Sequence, residues 1–143
     1  MAKKFTYRLE PLLKVKSYNT SIARTELTLT INERIDKEQE IEHISKHRTS
    51  LNSIEVKNLS ISEMQHLHHF KQSLEYQKNK LVEEKDVLAE KEKVKQNKYN
   101  IAMQEEKVLA KLKAKKIEDY QRTLNTEEQK ELDDIGLRIK TKL

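Results

Sequence analysis

Lys57-Asn58-Leu59-Ser60-Ile61-Ser62-Glu63-Met64 is the stretch whose reading decides the fold. Ser60 and Glu63 stand three residues apart at the head of a helix-forming run. In that arrangement the Ser hydroxyl accepts from the Glu63 amide, and the Glu carboxylate reaches back to the Ser60 amide. Leu59 and Met64 occupy the two positions of a hydrophobic staple across the same helix start. No other segment between Pro11 and Gly136 reads as a turn. The expectation is therefore a first helix over about 5–56, a turn at 57–60 and a second helix over about 61–138, all within one coiled-coil domain spanning 1–143. A connection this short makes the helices antiparallel neighbours.

Composition agrees with an all-α chain. Its 143 residues include one Gly, one Pro, no Cys and no Trp, and 37% are charged. Two helix breakers cannot punctuate a sheet or a looped α/β fold, and 35% apolar residues cannot fill a core of ordinary size. Ala, Glu, Lys, Leu and Arg make up about half the chain, the mark of long helices and coiled coils. Disorder is disfavoured because 29 basic residues face 24 acidic ones, leaving only +5. No apolar run approaches the roughly 20 residues of a membrane span, and the opening residues lack a signal-peptide core. A soluble, cytoplasmic protein is expected, and the absence of Cys fits that compartment.

Leu67, Leu74, Leu81 and Leu88 recur every seven residues in the second helix, the spacing that keeps one seam toward a partner helix. Val87, Val94, Ile101 and Val108 continue at the same interval one position over. The first helix offers two stripes, Leu12, Val15, Ile22 and Leu29, then Leu27, Ile31, Ile35, Ile41, Ile44, Leu51 and Ile54. Intervening positions such as Asn19, Gln77, Glu84 and Lys91 are polar, so a thin seam and marginal stability are expected.

With the turn centred between Asn58 and Leu59, residue i lies opposite roughly residue 117 minus i, so Phe5 faces Leu112 and Pro11 faces Glu106. Everything after about Leu112 then lacks an intramolecular partner, an overhang of about 40 Å if helical. Its apolar residues, Ile117, Tyr120, Leu124, Leu132 and Ile135 among them, suit a helix that acquires a partner. Pro11 marks the start of the first helix, leaving Phe5 to Leu9 as a cap or a kinked extension. Thr126-Glu127-Glu128-Gln129 is a second match to a capping box and suggests a break near Asn125, although Glu and Gln are common enough here for chance matches.

Three constellations could carry chemistry. His43 and His47 lie one turn apart and His66, His68 and His69 cluster after the cap, with His47 facing Phe70 in the hairpin. No Cys supports them and the spacing is not a zinc signature, so solvated imidazoles rather than metal ligands are expected. Lys107, Lys111, Lys113, Lys115 and Lys116 form a basic run, followed by acidic Glu127, Glu128, Glu131, Asp133 and Asp134. Lys3, Lys4, Arg8, Lys14 and Lys16 belong at the same end of the hairpin, which gives one cationic tip. Without interleaved aromatics or Arg forks that run is poorly suited to base readout. Two helices enclose no pocket, so no catalytic residue or cofactor is expected. The residues alone leave a protein-docking coiled coil, a homodimeric scaffold and a nucleic-acid binder as competing classes.

The opening Phe5-Thr6-Tyr7-Arg8-Leu9-Glu10-Pro11-Leu12-Leu13-Lys14-Val15-Lys16 carries a resemblance to a known family. So do Ser60-Ile61-Ser62-Glu63-Met64 leading to Phe70 and Leu74, and the closing stretch from Lys113 to Tyr120 and on to Glu127 through Ile135. Together they resemble FliJ, the coiled-coil protein of flagellar type III export, over essentially the whole chain. The resemblance implies a long antiparallel two-helix coiled coil similar to the γ stalk of rotary ATP synthases. It implies a stalk that enters the hexameric ring of the export ATPase FliI and activates it, contacts the export-gate protein FlhA and handles export chaperones. Arg8, Leu9, Leu13, Lys111, Leu112, Lys115, Ile117 and Tyr120 would then face the ATPase, and Phe70 and Leu74 the gate. The implied place is the cytoplasm, peripheral to the inner membrane at the flagellar base, with no nucleic acid or small-molecule substrate. An injectisome stalk of the same architecture is a close variant.

Overall fold

The computed structural model describes residues 4–142. Two helices make up nearly all of it, α1 (Glu10–Asn52, 43 residues) and α2 (Ile61–Lys142, 82 residues), with one 3-10 turn at Val56–Asn58 between them. The protein is all-α, and no strand occurs among the described residues. Its contacts group into two compact units, one formed by Ile22–Asn100 and one by the residues up to Ser21 together with those from Ile101 onward.

α1 is shorter at both ends than the expected 5–56. Pro11 sits in its first turn, where a missing amide costs nothing, and a helix carried back through Tyr7 would drive the Pro ring into that residue's carbonyl. Tyr7 instead closes a turn by accepting from the Glu10 amide at 3.1 Å. At the far end the Ser53 amide bonds the Ser50 carbonyl at 3.2 Å, and the Ser53 hydroxyl donates to the same carbonyl at 2.6 Å, which halts the helix. α2 begins where the cap placed it. The Glu63 amide donates to Ser60 Oγ at 3.2 Å and the Ser60 amide to Glu63 Oε2 at 3.4 Å.

Within Ile22–Asn100 the helices form an antiparallel hairpin. Glu26 pairs with Lys95 at 3.0 Å, Arg34 with Glu92, Lys37 with Glu84 at 3.0 Å and Arg48 with Glu75. The Glu26 and Lys37 pairs set α1 against residues about four positions further along α2, one helical turn, than a turn centred at Asn58 would give. The connector explains the shift. Ile54 and Leu59 line a shallow groove with Leu67 and Phe70, so residues 53–60 run along the first turns of α2 instead of bridging two level helix ends.

The line of buried and half-buried residues in α1 is Leu13, Lys16, Thr20, Ala23, Leu27, Thr30, Arg34, Lys37, Ile41, Ile44, Arg48 and Leu51, alternating steps of three and four. Of the two expected stripes, Leu12, Val15, Ile22 and Leu29 is exposed. It continues at seven-residue steps into Asp36, His43 and Ser50, whereas Leu27 continues toward Ile41, Ile44 and Leu51. A helix can turn only one line toward its partner, and the line that stays apolar longest wins. In α2 the leucines Leu67, Leu74, Leu81 and Leu88 are half-buried or buried, while Val87, Val94, Ile101 and Val108 are exposed. The seam is thin. Leu27 and Leu74 are its only buried apolar side chains among the described residues, and Thr20 and Thr30 are buried beside them.

In the other unit the chain before Ser21 lies antiparallel to α2 from Ile101. Glu10 pairs with Lys113 at 2.8 Å and Lys16 with Glu105 at 2.8 Å, while Tyr7 donates its hydroxyl to the Leu109 carbonyl at 3.2 Å. Glu10 Oε2 is buried and meets Lys113 as an ion pair, without hydrogen-bond alignment. Phe5 stacks on Tyr120 with ring centroids 5.5 Å apart, so it faces Tyr120 rather than Leu112. The overhang accordingly starts after Leu124, and residues 125–141 are all exposed. It remains one helix to Lys142, with no break at Asn125, because the Thr126 hydroxyl bonds back to the Arg122 carbonyl at 2.8 Å and caps nothing.

Candidate protein-docking surfaces

The charges of the first unit, which joins the chain before Ile22 to α2 from Ile101, separate into two groups. Lys16 and Lys113, both expected in the cationic tip, are held in the seam by Glu105 and Glu10. Lys4, Arg8, Lys14, Lys107, Lys111, Lys115 and Lys116 are exposed and pair with no carboxylate among the described residues. Lys3 lies outside the described residues. The stretch Lys107 to Lys116 contains five Lys and no acid, and of the five Lys113 alone is paired, with Glu10, among the described residues. That leaves a cationic surface on one helix pair, which attracts anionic partners over roughly a Debye length.

Apolar groups stand among these charges. Leu12 and Val15 of α1 and Val108 and Leu112 of α2 are all exposed, Val108 at 65%. The residues expected at the ATPase-facing end divide by burial. Arg8, Lys111, Leu112 and Lys115 are exposed and available to a partner, whereas Leu9, Leu13, Ile117 and Tyr120 are half-buried and hold the helices together. Beside Tyr120, a groove of about 470 Å³ is lined by Phe5, Arg8, Lys116, Asp119 and Thr123. The Phe5–Tyr120 stack and the Tyr7 hydrogen bond were not read from the sequence. The only signal for them was three aromatics placed so that a longer connector would bring them level.

In the hairpin unit, Phe70 is 44% exposed and meets His47 edge-on at 5.5 Å between centroids. Leu74 is buried at 6%, so a partner at this face would touch Phe70 and find Leu74 beneath it. A groove of about 790 Å³ runs between the helices, with Asp36, Glu40 and His43 on one wall and Gln77, Lys80 and Glu84 on the other. His68 and His69 lie 6.1 Å apart, and no group of three or more His, Asp or Glu among the described residues is placed to hold a metal ion. Arg24 lies 5.7 Å from the Tyr99 ring centre, a cation–π contact across the hairpin.

Charged pairs within the hairpin shift three protonation equilibria. A hydrogen bond from Lys95, with its charge, holds the Glu26 carboxyl below the ordinary value of 4.5. Hydrogen bonds from Arg34 to Glu92 and Glu38, and from Lys37 to Glu84, raise those two cations above their ordinary values.

A thin antiparallel seam, open grooves and unpaired charge beside exposed apolar residues define a helical-hairpin protein that presents surfaces to other macromolecules. The sequence matches the family model described as flagellar FliJ protein over residues 5–140, and the chain belongs to that family. Comparison with curated proteins and with solved structures gives no match. Membership makes the chain a flagellar export component of a non-enzymatic family located at the cytoplasmic base of the flagellum. No helix among the described residues is long and apolar enough to cross a membrane.

Proposed function

We propose that the protein is a stalk that enters the hexameric export ATPase FliI, stimulates its ATP hydrolysis and links it to the export gate FlhA, with a further role in handling export chaperones. The observation that carries this reading is the unpaired cationic group Arg8, Lys111 and Lys115 set around exposed Leu112 on one helix pair. Exposed charges of one sign speed encounter with an acidic lining, and an apolar residue among them supplies contact area once docked. Leu9, Leu13, Ile117 and Tyr120 support the same surface from the seam. Phe70 over Leu74 is the gate-facing candidate, being a half-exposed aromatic braced by His47.

The test is ATP hydrolysis by the cognate ATPase with wild-type protein and with Lys111→Glu/Lys115→Glu. Stimulation should fall several-fold while circular dichroism is unchanged, because both Lys are exposed and neither forms an ion pair among the described residues. Full stimulation by the variant would overturn the assignment of this surface. A pull-down with the gate protein's cytoplasmic domain, comparing Phe70→Ala with wild type, tests the second contact.

A further inference from the structure

Once the seam is assigned, two complementary surfaces of the first unit are left uncovered. Val87, Val94, Ile101 and Val108 each follow a seam residue of α2 by two positions, as Val15, Ile22 and Leu29 do on α1. In an antiparallel pair these positions look out on one common face. The hairpin unit shows this directly, since Asp36 and His43 of α1 and Lys80 of α2, at that same position, line one groove. In the first unit the equivalent places are held by Val15, Ile101 and Val108, joined by Leu12 and Leu112, with unpaired Lys107, Lys111 and Lys115 on the same stretch of α2.

The start of the overhang carries the opposite charge, since residues 127–134 hold five carboxylates and one lysine, while Arg138, Lys140 and Lys142 follow toward its end. Leu132, Ile135 and Ile139 are 52–62% exposed and spaced by three and four, which puts them on one side of the helix. Glu127, Glu128, Glu131, Asp133 and Asp134 surround the start of that stripe, and none forms an ion pair among the described residues. An apolar stripe flanked by carboxylates thus matches an apolar patch flanked by lysines. The two cannot meet within one chain, because Leu132 and Val108 lie on one continuous helix, about 36 Å apart.

We infer that the overhang of one copy docks on the basic apolar face of a second copy, reciprocally, in an antiparallel homodimer. Leu132 set opposite Val108 places Ile139 opposite Ile101, since both pairs are seven residues apart. The same register sets residues 127–134 level with 106–113, alongside Lys107 and Lys111. A two-fold axis makes each contact twice, and the shared seven-residue spacing lets two helices stay in contact along their length. This dimer covers Lys111, Leu112 and Lys115, so it and any other partner recognised through those residues exclude each other. The inference is independent of the ATPase reading, because oligomeric state alone decides it.

The chain has no cysteine, so paired cysteines report the contact cleanly. Under mild oxidation V108C/L132C should give a disulfide-linked dimer, and V108C/L137C should not, because Leu137 lies across the helix from the stripe. Light scattering should find a dimer at low salt that dissociates as salt is added. Glu127→Lys/Glu128→Lys/Glu131→Lys and Lys107→Glu/Lys111→Glu/Lys115→Glu should each raise the dissociation constant at least about tenfold. Mixing the two charge-reversed proteins should restore a one-to-one dimer. A monomer at the highest attainable concentration in low salt, a dimer indifferent to both reversals, or equal cross-linking through position 137 would each overturn the inference. Circular dichroism on every variant confirms that helicity is retained.

Discussion

Thr20 and Thr30 are each 3% exposed, deeper than any leucine of the seam, yet neither leaves a polar atom unsatisfied. Each hydroxyl donates to the carbonyl one turn back, Lys16 at 2.9 Å and Glu26 at 3.0 Å. Those carbonyls are already bonded within the helix, so the hydroxyls fill space without linking the helices. Thr30→Val should therefore be neutral or mildly stabilising in urea titration, because it replaces an already satisfied hydroxyl with a methyl group of similar volume. Leu74→Ala should behave oppositely and cost about 2–3 kcal/mol, since it empties one of two buried apolar sites that the helices cannot readily close. The charged pairs give a further handle through pH. Glu26 titrates below its unfolded value because of Lys95, so its contribution is present above the ordinary carboxylate range and is lost as pH falls through the lower folded value. Lys37 titrates above its unfolded value, so its contribution survives at neutral pH and is lost only in strong alkali. Thermal midpoints should accordingly fall on acidification below about pH 4. Glu26→Gln should show a smaller fall than the wild type.

The start of α2 was legible because capping is local. Ser60 and Glu63 lie within four residues of each other, and both bonds of their reciprocal cap form. Ser60→Ala should cost about 1 kcal/mol, read as a lower midpoint in denaturant with an unchanged slope. Register was less legible, because it depends on where residues 53–60 lie, and no local pattern says that Ile54 and Leu59 fold back along α2. The expected partners of α1 were consequently one turn out of place, and with them the start of the overhang. Which of the two stripes of α1 forms the seam was not legible for a related reason. Neither stripe includes Lys16, Arg34, Lys37 or Arg48, which the seam accepts because each finds a carboxylate across the pair. Long basic side chains cover apolar surface with their stems while their heads reach a partner at the edge, so a thin seam tolerates charges that a globular core would not. The same reasoning bears on the overhang, where Gly136 lies inside a helix with open space around its missing Cβ. Gly136→Ala should raise local helix stability by up to about 1 kcal/mol, seen as slower amide exchange over 130–142.

At the scale of the whole chain, composition was enough for the fold class, and the family followed from landmarks at its beginning, middle and end. The docking surfaces were only half visible. Arg8, Lys111 and Lys115 are exposed as the charge pattern suggested, but Leu9, Leu13 and Tyr120 are partly spent on the seam, a division that depends on register and not on composition. Salt then separates the ways in which the free cations could act. If they guide the chain into an acidic ATPase lining, raising ionic strength from low to moderate should slow association markedly and change dissociation little, because exposed charges govern encounter while Leu112 and its neighbours hold the docked state. A phosphate backbone gripped by the same lysines would instead give an affinity that falls steeply with salt, by about one order of magnitude per tenfold rise in salt for each phosphate neutralised. Stopped-flow association with the ATPase at several salt concentrations, beside filter binding to double-stranded DNA, decides between them. Removing the chain after Thr123 sharpens the comparison, since it deletes the overhang and leaves the Phe5–Tyr120 ring contact and every exposed lysine from Lys107 to Lys116 in place. Association with an acidic ring should be about as fast as that of the full chain, because the five carboxylates lost go with four basic side chains and lie further than a Debye length from Lys107 and Lys111 along one helix. Slower association would mean that the overhang itself, rather than the lysine face, makes the first contact.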